Sequence, residues 1–460
     1  MTKNMLSNAA LAALAAAGGL AATAGIASAQ STPSIQPMNG APEIRDGQQR
    51  FKMRGRFQYD IINSDWDNNA EQGTRSYARR AFLGAQGRLS DRWRYKVDFV
   101  LNPGASDVSS ATTALLCQNN TTQVITQRTA CVTGETSRGT VVTAQGSGGG
   151  DDVAVDDAYL EYAGDFFSLV IGENNVTSPL EDRTSSLDIP FIERSSVINA
   201  FGYGRLAGIA YLQTGANWTA AVGVYGDSLN NADSNFNNDE SMSISGRFTW
   251  APLFEVSPDG YSLIHLGLVA RERYIGDDAA VRYRTRPLNG RGNRHIDAGS
   301  AMAGERDTTI GVEFAAQYNQ FGVTAEYHRL DGQETPAAGG SSYEFDGYYI
   351  DANWSLTGEP RAYRGNQGSF GAVVPSNPIN RGGPGHWSVS ARYDYLNLDD
   401  PAASSTSRGE QSAYALGLNW VPLDHVRFML NYAETEMDRA TTGQPDIDAR
   451  VISLRTQFDF

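Results

Sequence analysis

Val451-Ile452-Ser453-Leu454-Arg455-Thr456-Gln457-Phe458-Asp459-Phe460 closes the chain and alternates strictly. Ile452, Leu454, Thr456, Phe458 and Phe460 fall on one face. Ser453, Arg455, Gln457 and Asp459 fall on the other, with Val451 the one apolar residue among them. Side chains on a strand alternate faces, so one face is greasy to its last residue and the other is polar. Termini of soluble domains usually fray and tolerate polar residues. A strand that closes a membrane barrel needs what stands here: lipid on one side, water on the other, and no free edge.

The same period recurs upstream. Phe51, Met53, Gly55, Phe57, Tyr59 and Ile61 oppose Lys52, Arg54, Arg56, Gln58 and Asp60. Trp93, Tyr95, Val97, Phe99 and Leu101 oppose Arg94, Lys96 and Asp98. Trp387, Val389, Ala391, Tyr393 and Tyr395 oppose Ser388, Ser390, Arg392 and Asp394. Repetition of period two with aromatics at the run ends is the pattern of a transmembrane β-barrel. Candidate strands lie near 50–62, 76–89, 92–101, 153–163, 166–173, 205–214, 217–226, 241–252, 261–274, 307–319, 321–331, 343–357, 386–398, 411–421, 425–437 and 450–460. The expected fold is therefore all-β, an antiparallel barrel of 16 strands, an even number. Tight links such as Ser90-Asp91 and Gly164-Asp165 alternate with long polar ones. The long 358–385 link breaks that rule: either it is an excursion on the turn side or the strand parity slips there.

The N-terminus agrees. Lys3 precedes a small apolar stretch that closes on Ala27-Ser28-Ala29, a signal-peptide cleavage pattern. The expected organisation is a signal peptide over 1–29, a linker over 30–49 and a barrel over 50–460. Removing the signal takes the formal charge from −15 to −16, because Lys3 leaves and no acid does. Such acidity argues against nucleic acid as a partner. Cys117 and Cys131 share one Thr/Ser/Gly-rich stretch, and a disulfide is the natural reading in an exported protein. Two thiols with no nearby His make a poor metal site, and no phosphate-cradling loop appears, so no metal or cofactor is expected.

Strand parity places Lys52, Arg54, Arg56, Arg94, Lys96, Arg247, Arg271, Arg273, Arg392, Arg427 and Arg455 on the lumen side. It places Asp60, Asp98, Asp157, Glu161, Glu313, Glu326, Asp351, Asp394 and Asp459 there too. Basic ladders in a narrow pore lower the barrier to anions, and acids do the reverse. Lys52, Arg54 and Arg56 beside Arg94 and Lys96 form the candidate anion-attracting wall, with Arg455 expected across the closing seam. The contrasting expectation is that lumen charges merely pair across strands. An enzyme is a further alternative. Gly226-Asp227-Ser228-Leu229 matches a short esterase nucleophile motif, but none of His265, His295, His328, His386 and His425 lies in a partnering Asp-x-x-His. The motif reads as a turn leaving a strand.

Several stretches are jointly familiar. They are Arg79-Arg80-Ala81-Phe82-Leu83-Gly84, Asp156-Asp157-Ala158-Tyr159-Leu160-Glu161-Tyr162, Thr184-Ser185-Ser186, and Phe191-Ile192-Glu193-Arg194-Ser195. Late in the chain come Trp354-Ser355-Leu356-Thr357-Gly358-Glu359, Ala391-Arg392-Tyr393-Asp394-Tyr395 and Gly417-Leu418-Asn419-Trp420. In order and spacing residues 50–460 resemble the phosphate-selective porin O and P family. That resemblance implies a homotrimer in the outer membrane of a Gram-negative bacterium, set among lipid and lipopolysaccharide and inserted by the barrel-assembly machinery. It implies passive diffusion of small hydrophilic solutes, with anions such as phosphate or polyphosphate favoured and a weakly selective channel as the alternative. It also implies a third long loop folded into the pore. Loop 174–204 holds that place, with Arg183, Arg194, Glu181, Asp182 and Glu193 as its charged residues. This loop carries no lysine.

Overall fold

A computed structural model describes residues 34–39, 41–67, 72–101, 111–119, 125–128, 135–144, 153–230, 241–257, 260–276, 281–290, 292–403, 408–440 and 445–460. Sixteen strands form the barrel: β1 Gln49–Trp66, β2 Gly73–Arg88, β3 Trp93–Leu101, β4 Val153–Ala163, β5 Ser168–Asn174, β6 Leu206–Thr214, β7 Trp218–Tyr225 and β8 Met242–Ser257. They continue as β9 Gly260–Tyr274, β10 Gly304–Tyr318, β11 Phe321–Glu334, β12 Ser342–Ser355, β13 His386–Asn397, β14 Gly409–Leu423, β15 Val426–Arg439 and β16 Ile447–Asp459. Each strand pairs with its sequence neighbour, and β16 pairs antiparallel with β1 from Asp459↔Arg56 to Ala449↔Trp66. Closure pairs the edges of β1 and β16 along that span, the requirement of a wall without water outside it.

The alternation read in the closing strand holds. Ile452, Leu454 and Phe458 are 42–49% exposed on the outer face, while Ser453, Arg455 and Gln457 are buried inside. At the seam Phe460 and Gly55 exchange backbone hydrogen bonds of 3.0 Å in both directions. The outer face carries aromatic clusters toward both ends. Toward the turn end Trp387 and Trp420 stack at 5.3 Å, and both indoles donate to the Pro384 carbonyl. Toward the loop end Tyr393 packs on Tyr348 and Tyr414 at 5.9 and 4.9 Å. Amphipathic rings at the two rims suit the headgroup levels of a bilayer.

Tight turns gather at one end. Asn319 and His425 supply the positive φ values (48° and 69°) of the β10–β11 and β14–β15 turns. The β12–β13 link belongs to this same end, so strand parity does not slip there. Its 30 residues, 356–385, enter the barrel instead, holding a short hairpin of Tyr363–Arg364 and Ser369–Phe370. Upstream of β1, where a linker is expected, Ser34–Asn39 and Ala41–Asp46 form a hairpin. Its second strand pairs with the first residues of β1, Glu43↔Lys52 through Asp46↔Gln49, and so covers an edge that β16 ends too early to reach.

Residues 100–154 group as a second compact unit, in which Ala111–Asn119 is flanked by Ile125–Arg128 and Glu135–Ala144. The expected Cys117–Cys131 disulfide lies outside the described residues, as do residues 1–33 with the expected signal peptide.

Candidate pore eyelet and its charges

Residues 175–205, between β5 and β6, lie inside the barrel and hydrogen-bond to the far wall. The Ile192 N–H donates to Asn431 of β15 (2.7 Å), and Asn419 of β14 donates to the Pro190 carbonyl (3.0 Å). Arg427 of β15 donates to the carbonyls of Leu187 and Ile189 at 2.7 and 2.9 Å. The loop holds two short helices, α1 Leu180–Arg183 and α2 Ser196–Phe201. Helix α2 is a strut. Asp394 of β13 accepts from its first N–H at Ser196 (2.8 Å), and Arg271 of β9 donates to the Phe201 and Gly202 carbonyls at its other end (2.9 and 3.1 Å). An acid at the helix start and a base at its end both match the helix dipole.

Most of the expected lumen cations are neutralised. Arg455, fully buried, donates to both oxygens of Asp60 at 2.7 Å and to the Ile192 carbonyl at 2.8 Å. It therefore adds no open charge beside Lys52, Arg54 and Arg56. Arg392 donates to both oxygens of Asp351 (2.7 and 2.8 Å) and to Glu181 (2.5 Å). Arg273 pairs with Asp307, Lys96 with Asp157, Arg94 with Glu161 at 3.5 Å, Arg54 with Asp98 at 3.7 Å and Arg247 with Glu313 at 2.7 Å. Asp98, Asp156 and Asp157 bring carboxylate oxygens within 4.8 Å of one another. Lys96, Arg205 and Arg54 already stand against them, so that triad reads as a salt-bridge network rather than a metal site.

Other arginines meet only neutral acceptors among the described residues. Arg56 donates to Ser186 Oγ (2.9 Å) and lies over the Phe82 ring at 4.7 Å. Arg183 donates to Asn175 (2.7 Å), Arg80 to Gln58 (2.9 Å), and Arg427 to Asn419 (2.7 Å) as well as to the loop carbonyls. Arg361 sits 4.0 Å above Phe370 and reaches the Asp188 carbonyl at 3.5 Å. Burial holds the Arg183 guanidinium below its ordinary value, against the pull of Tyr159 and Asp157.

Arg79 and Arg80 show how the wall was re-aimed. Gln58 pairs with Arg80 and the next residue, Tyr59, pairs with Ala78, so Arg79 is an extra residue on β2. This bulge turns two consecutive arginines inward. Arg79 grips both oxygens of Glu193 at 2.9 and 3.0 Å. Burial works to raise the Glu193 carboxyl, but the Arg79 guanidinium, with Arg80 and Arg455 behind it, holds it below the usual carboxylate range. Arg80 is left facing the lumen.

The turn-side segment completes the interior. Arg247 donates to the Gln367 and Gly368 carbonyls (3.2 and 2.6 Å), Tyr363 Oη meets His265 Nδ1 (2.7 Å), and the Phe370 N–H reaches Thr184 Oγ1 (3.4 Å). Between this segment, the inner loop and strands β1–β4 and β13–β16 remains a cavity of about 760 Å³. Lys52, Arg54, Arg56, Arg80, Lys96, Arg183, Arg194, Arg205, Arg361, Arg364 and Arg427 line it, against Asp156, Asp182, Asp188, Asp424 and Asp459. Basic residues thus outnumber acids eleven to five in a chain whose net charge is −15. Arg94, Arg271, Arg273, Arg392 and Arg455 do not reach this cavity, nor do Glu181 and Glu193. Arg80, Arg205, Arg361 and Arg364 do, and sequence reasoning missed them. The adjacent Arg79-Arg80 pair inside an alternating strand was the one available signal. Elsewhere, Ser228 Oγ donates to Glu173 (2.7 Å), which also accepts from Leu229 N–H (2.8 Å): a turn held by a carboxylate.

A family model described as phosphate-selective porin O and P matches residues 51–460. Porin O of Pseudomonas aeruginosa is 26% identical over 452 residues, spanning 89% of this chain and 88% of that protein. An uncharacterised protein of Caulobacter vibrioides is 26% identical over 444 residues, spanning 94% of this chain and 78% of that one. Among solved structures, the outer membrane channel DcaP of Acinetobacter baumannii shares the fold at a TM-score of 0.52 and 10% identity, over 90% of this chain and 98% of that one.

Proposed function

The chain belongs to the phosphate-selective porin O and P family, and from that premise we propose that its eyelet favours anions, phosphate-like ones included. The protein is an outer-membrane diffusion channel of a Gram-negative cell. One observation supports the anion reading: of the eleven basic side chains around the cavity, Arg56, Arg80, Arg183, Arg361 and Arg427 form no salt bridge among the described residues, in an otherwise acidic chain. Fixed positive charge at a narrow, low-dielectric passage raises the local anion concentration. The name of Porin O and of the family point the same way.

Selectivity then rests on Arg56, Arg80, Arg183, Arg361 and Arg427, which among the described residues hydrogen-bond only to neutral acceptors, with the inner loop 175–205 as the narrowing element. The salt-bridged arginines hold the wall and the loop in place. Substrates diffuse passively and no bond is made or broken. Ser228 belongs to a turn, and ester hydrolysis lost in Ser228→Ala would overturn that view. A homotrimer set in lipid and lipopolysaccharide, delivered by a signal peptide over 1–29 and inserted by the barrel-assembly machinery, completes the proposal.

Reversal potential in a planar bilayer under a KCl gradient, with and without phosphate, is the test. An anion-selective potential that shifts when phosphate is added is expected. Cation selectivity would sink the anion reading, and a membrane that stays silent would sink the channel itself.

A further inference from the structure

We infer that Glu181 is the positioning residue of the eyelet: a buried carboxylate that fastens the two arms of the inner loop to each other and to the wall, fixing the aperture. This rests on the channel reading above.

The Glu181 side chain reaches in two directions. Oε2 accepts from both the N–H and the Oγ of Ser195 (2.9 and 2.7 Å), which lies fourteen residues further along the loop. Oε1 accepts from Arg392 of β13, itself held bidentate by Asp351 of β12. The backbone supplies a third direction. The Glu181 N–H donates to Glu326 of β11 at 2.7 Å, and Tyr349 of β12 donates to the same oxygen at 2.6 Å. One residue therefore joins both arms of the loop to three consecutive strands. Glu181, Ser195, Arg392, Asp351 and Glu326 are all buried.

The chemistry of the contact demands a carboxylate. Two oxygens accept three donated bonds, one from a guanidinium. An amide of the same shape offers one acceptor and turns its own N–H toward Ser195 or Arg392, which are donors here. What Glu181 holds is the eyelet itself. The next two residues, Asp182 and Arg183, line the cavity, and Arg194 closes the ring by donating to the Glu181, Asp182 and Thr184 carbonyls. Beyond Ser195 the α2 strut carries the clamp on to β9. A shift at 181 thus moves lining charges with no intervening slack.

The test uses the full-length protein, in lipid for current and in detergent for hydrogen exchange. In Glu181→Gln, amides of 177–204 are expected to exchange faster by about tenfold or more. The channel is expected to close at a lower applied voltage, and its anion-to-cation permeability ratio to change by about twofold or more. Ser195→Ala removes one neutral bond and leaves the wall untouched, so a smaller change in the same direction is expected. Wild-type exchange and closure voltage in folded variants would overturn the assignment, and where Glu181→Gln does not fold, Ser195→Ala alone decides in the same way. Wild-type protein that passes no current refutes the channel reading alone, because the exchange measurement still decides the clamp.

Discussion

Arg79 and Arg80 turn into the same lumen from one bulge, yet only Arg79 bonds a carboxylate, while Arg80 donates to Gln58. Arg80→Gln should therefore change selectivity, and the size follows from the cavity. A volume of about 760 Å³, treated as a sphere, puts a central anion roughly 6 Å from each lining charge. One unit charge there is worth ~0.7 kcal/mol at the dielectric constant of water and ~2.8 kcal/mol at an effective value of about 20. Screening at about 0.1 M salt roughly halves both. Each factor counts twice, because an anion loses the attraction and a cation loses the equal repulsion, so the anion-to-cation permeability ratio should fall by between about threefold and a hundredfold. Reversal potentials across a bilayer under a KCl gradient measure it. Arg94→Gln is the control: Arg94 pairs with Glu161 at 3.5 Å and does not line the cavity, so its loss should move the ratio less than about twofold. An unchanged ratio in Arg80→Gln, or an equal fall in Arg94→Gln, refutes the distinction between paired and open arginines.

The closing seam should be costly to break. Asp60→Asn takes from fully buried Arg455 its bidentate carboxylate and leaves it only Glu193, at 3.5 Å and already gripped by Arg79, so a loss of about 3 kcal/mol is expected in denaturant unfolding. Replacing both partners by apolar residues of similar size should cost less than Asp60→Asn alone, and additive losses would contradict this. Acidification should strengthen anion preference. Burial, against the pull of Arg364 and Arg427, holds the Asp188 carboxyl above its ordinary value, so among ordinary carboxylates it loses its charge early as pH falls. Reversal potentials taken from about pH 7 to about pH 5 should become more anion-selective, with the rise reduced in Asp188→Asn. A fall in anion preference over that range would contradict this sign.

The barrel was legible because its physics is local and repeated. Each strand must be apolar outside and polar inside, and period two writes that requirement into every run from Phe51 to Phe460. The position of the 358–385 link was only half legible: counting strands put it at the turn end, but its length left a slip of parity equally open. Its path into the lumen was not legible. That depends on acceptors and donors set elsewhere, Arg247 and His265 among them, which no spacing in the segment reveals. The hairpin before β1 was missed too, because its need arises from where β16 stops.

Charge in the lumen was the harder question, and parity alone could not answer it. Alternation says which side a residue faces and nothing about what it meets there. Arg455 and Arg427 both point inward from neighbouring strands. Asp60 neutralises one across the seam, while the other meets only carbonyls and an amide. The difference lies in which residue stands opposite and where the loop's backbone passes, both long-range facts. The bulge at Arg79 adds a stricter limit. An inserted residue reverses parity for part of a strand, so Arg79 and Arg80 share a face that alternation assigns to one of them. Glu193, over a hundred residues away, then decides which stays open. A pore's sign can therefore be read from its sequence only after its pairs have been removed, and here the remainder, not the total, is what an anion would meet.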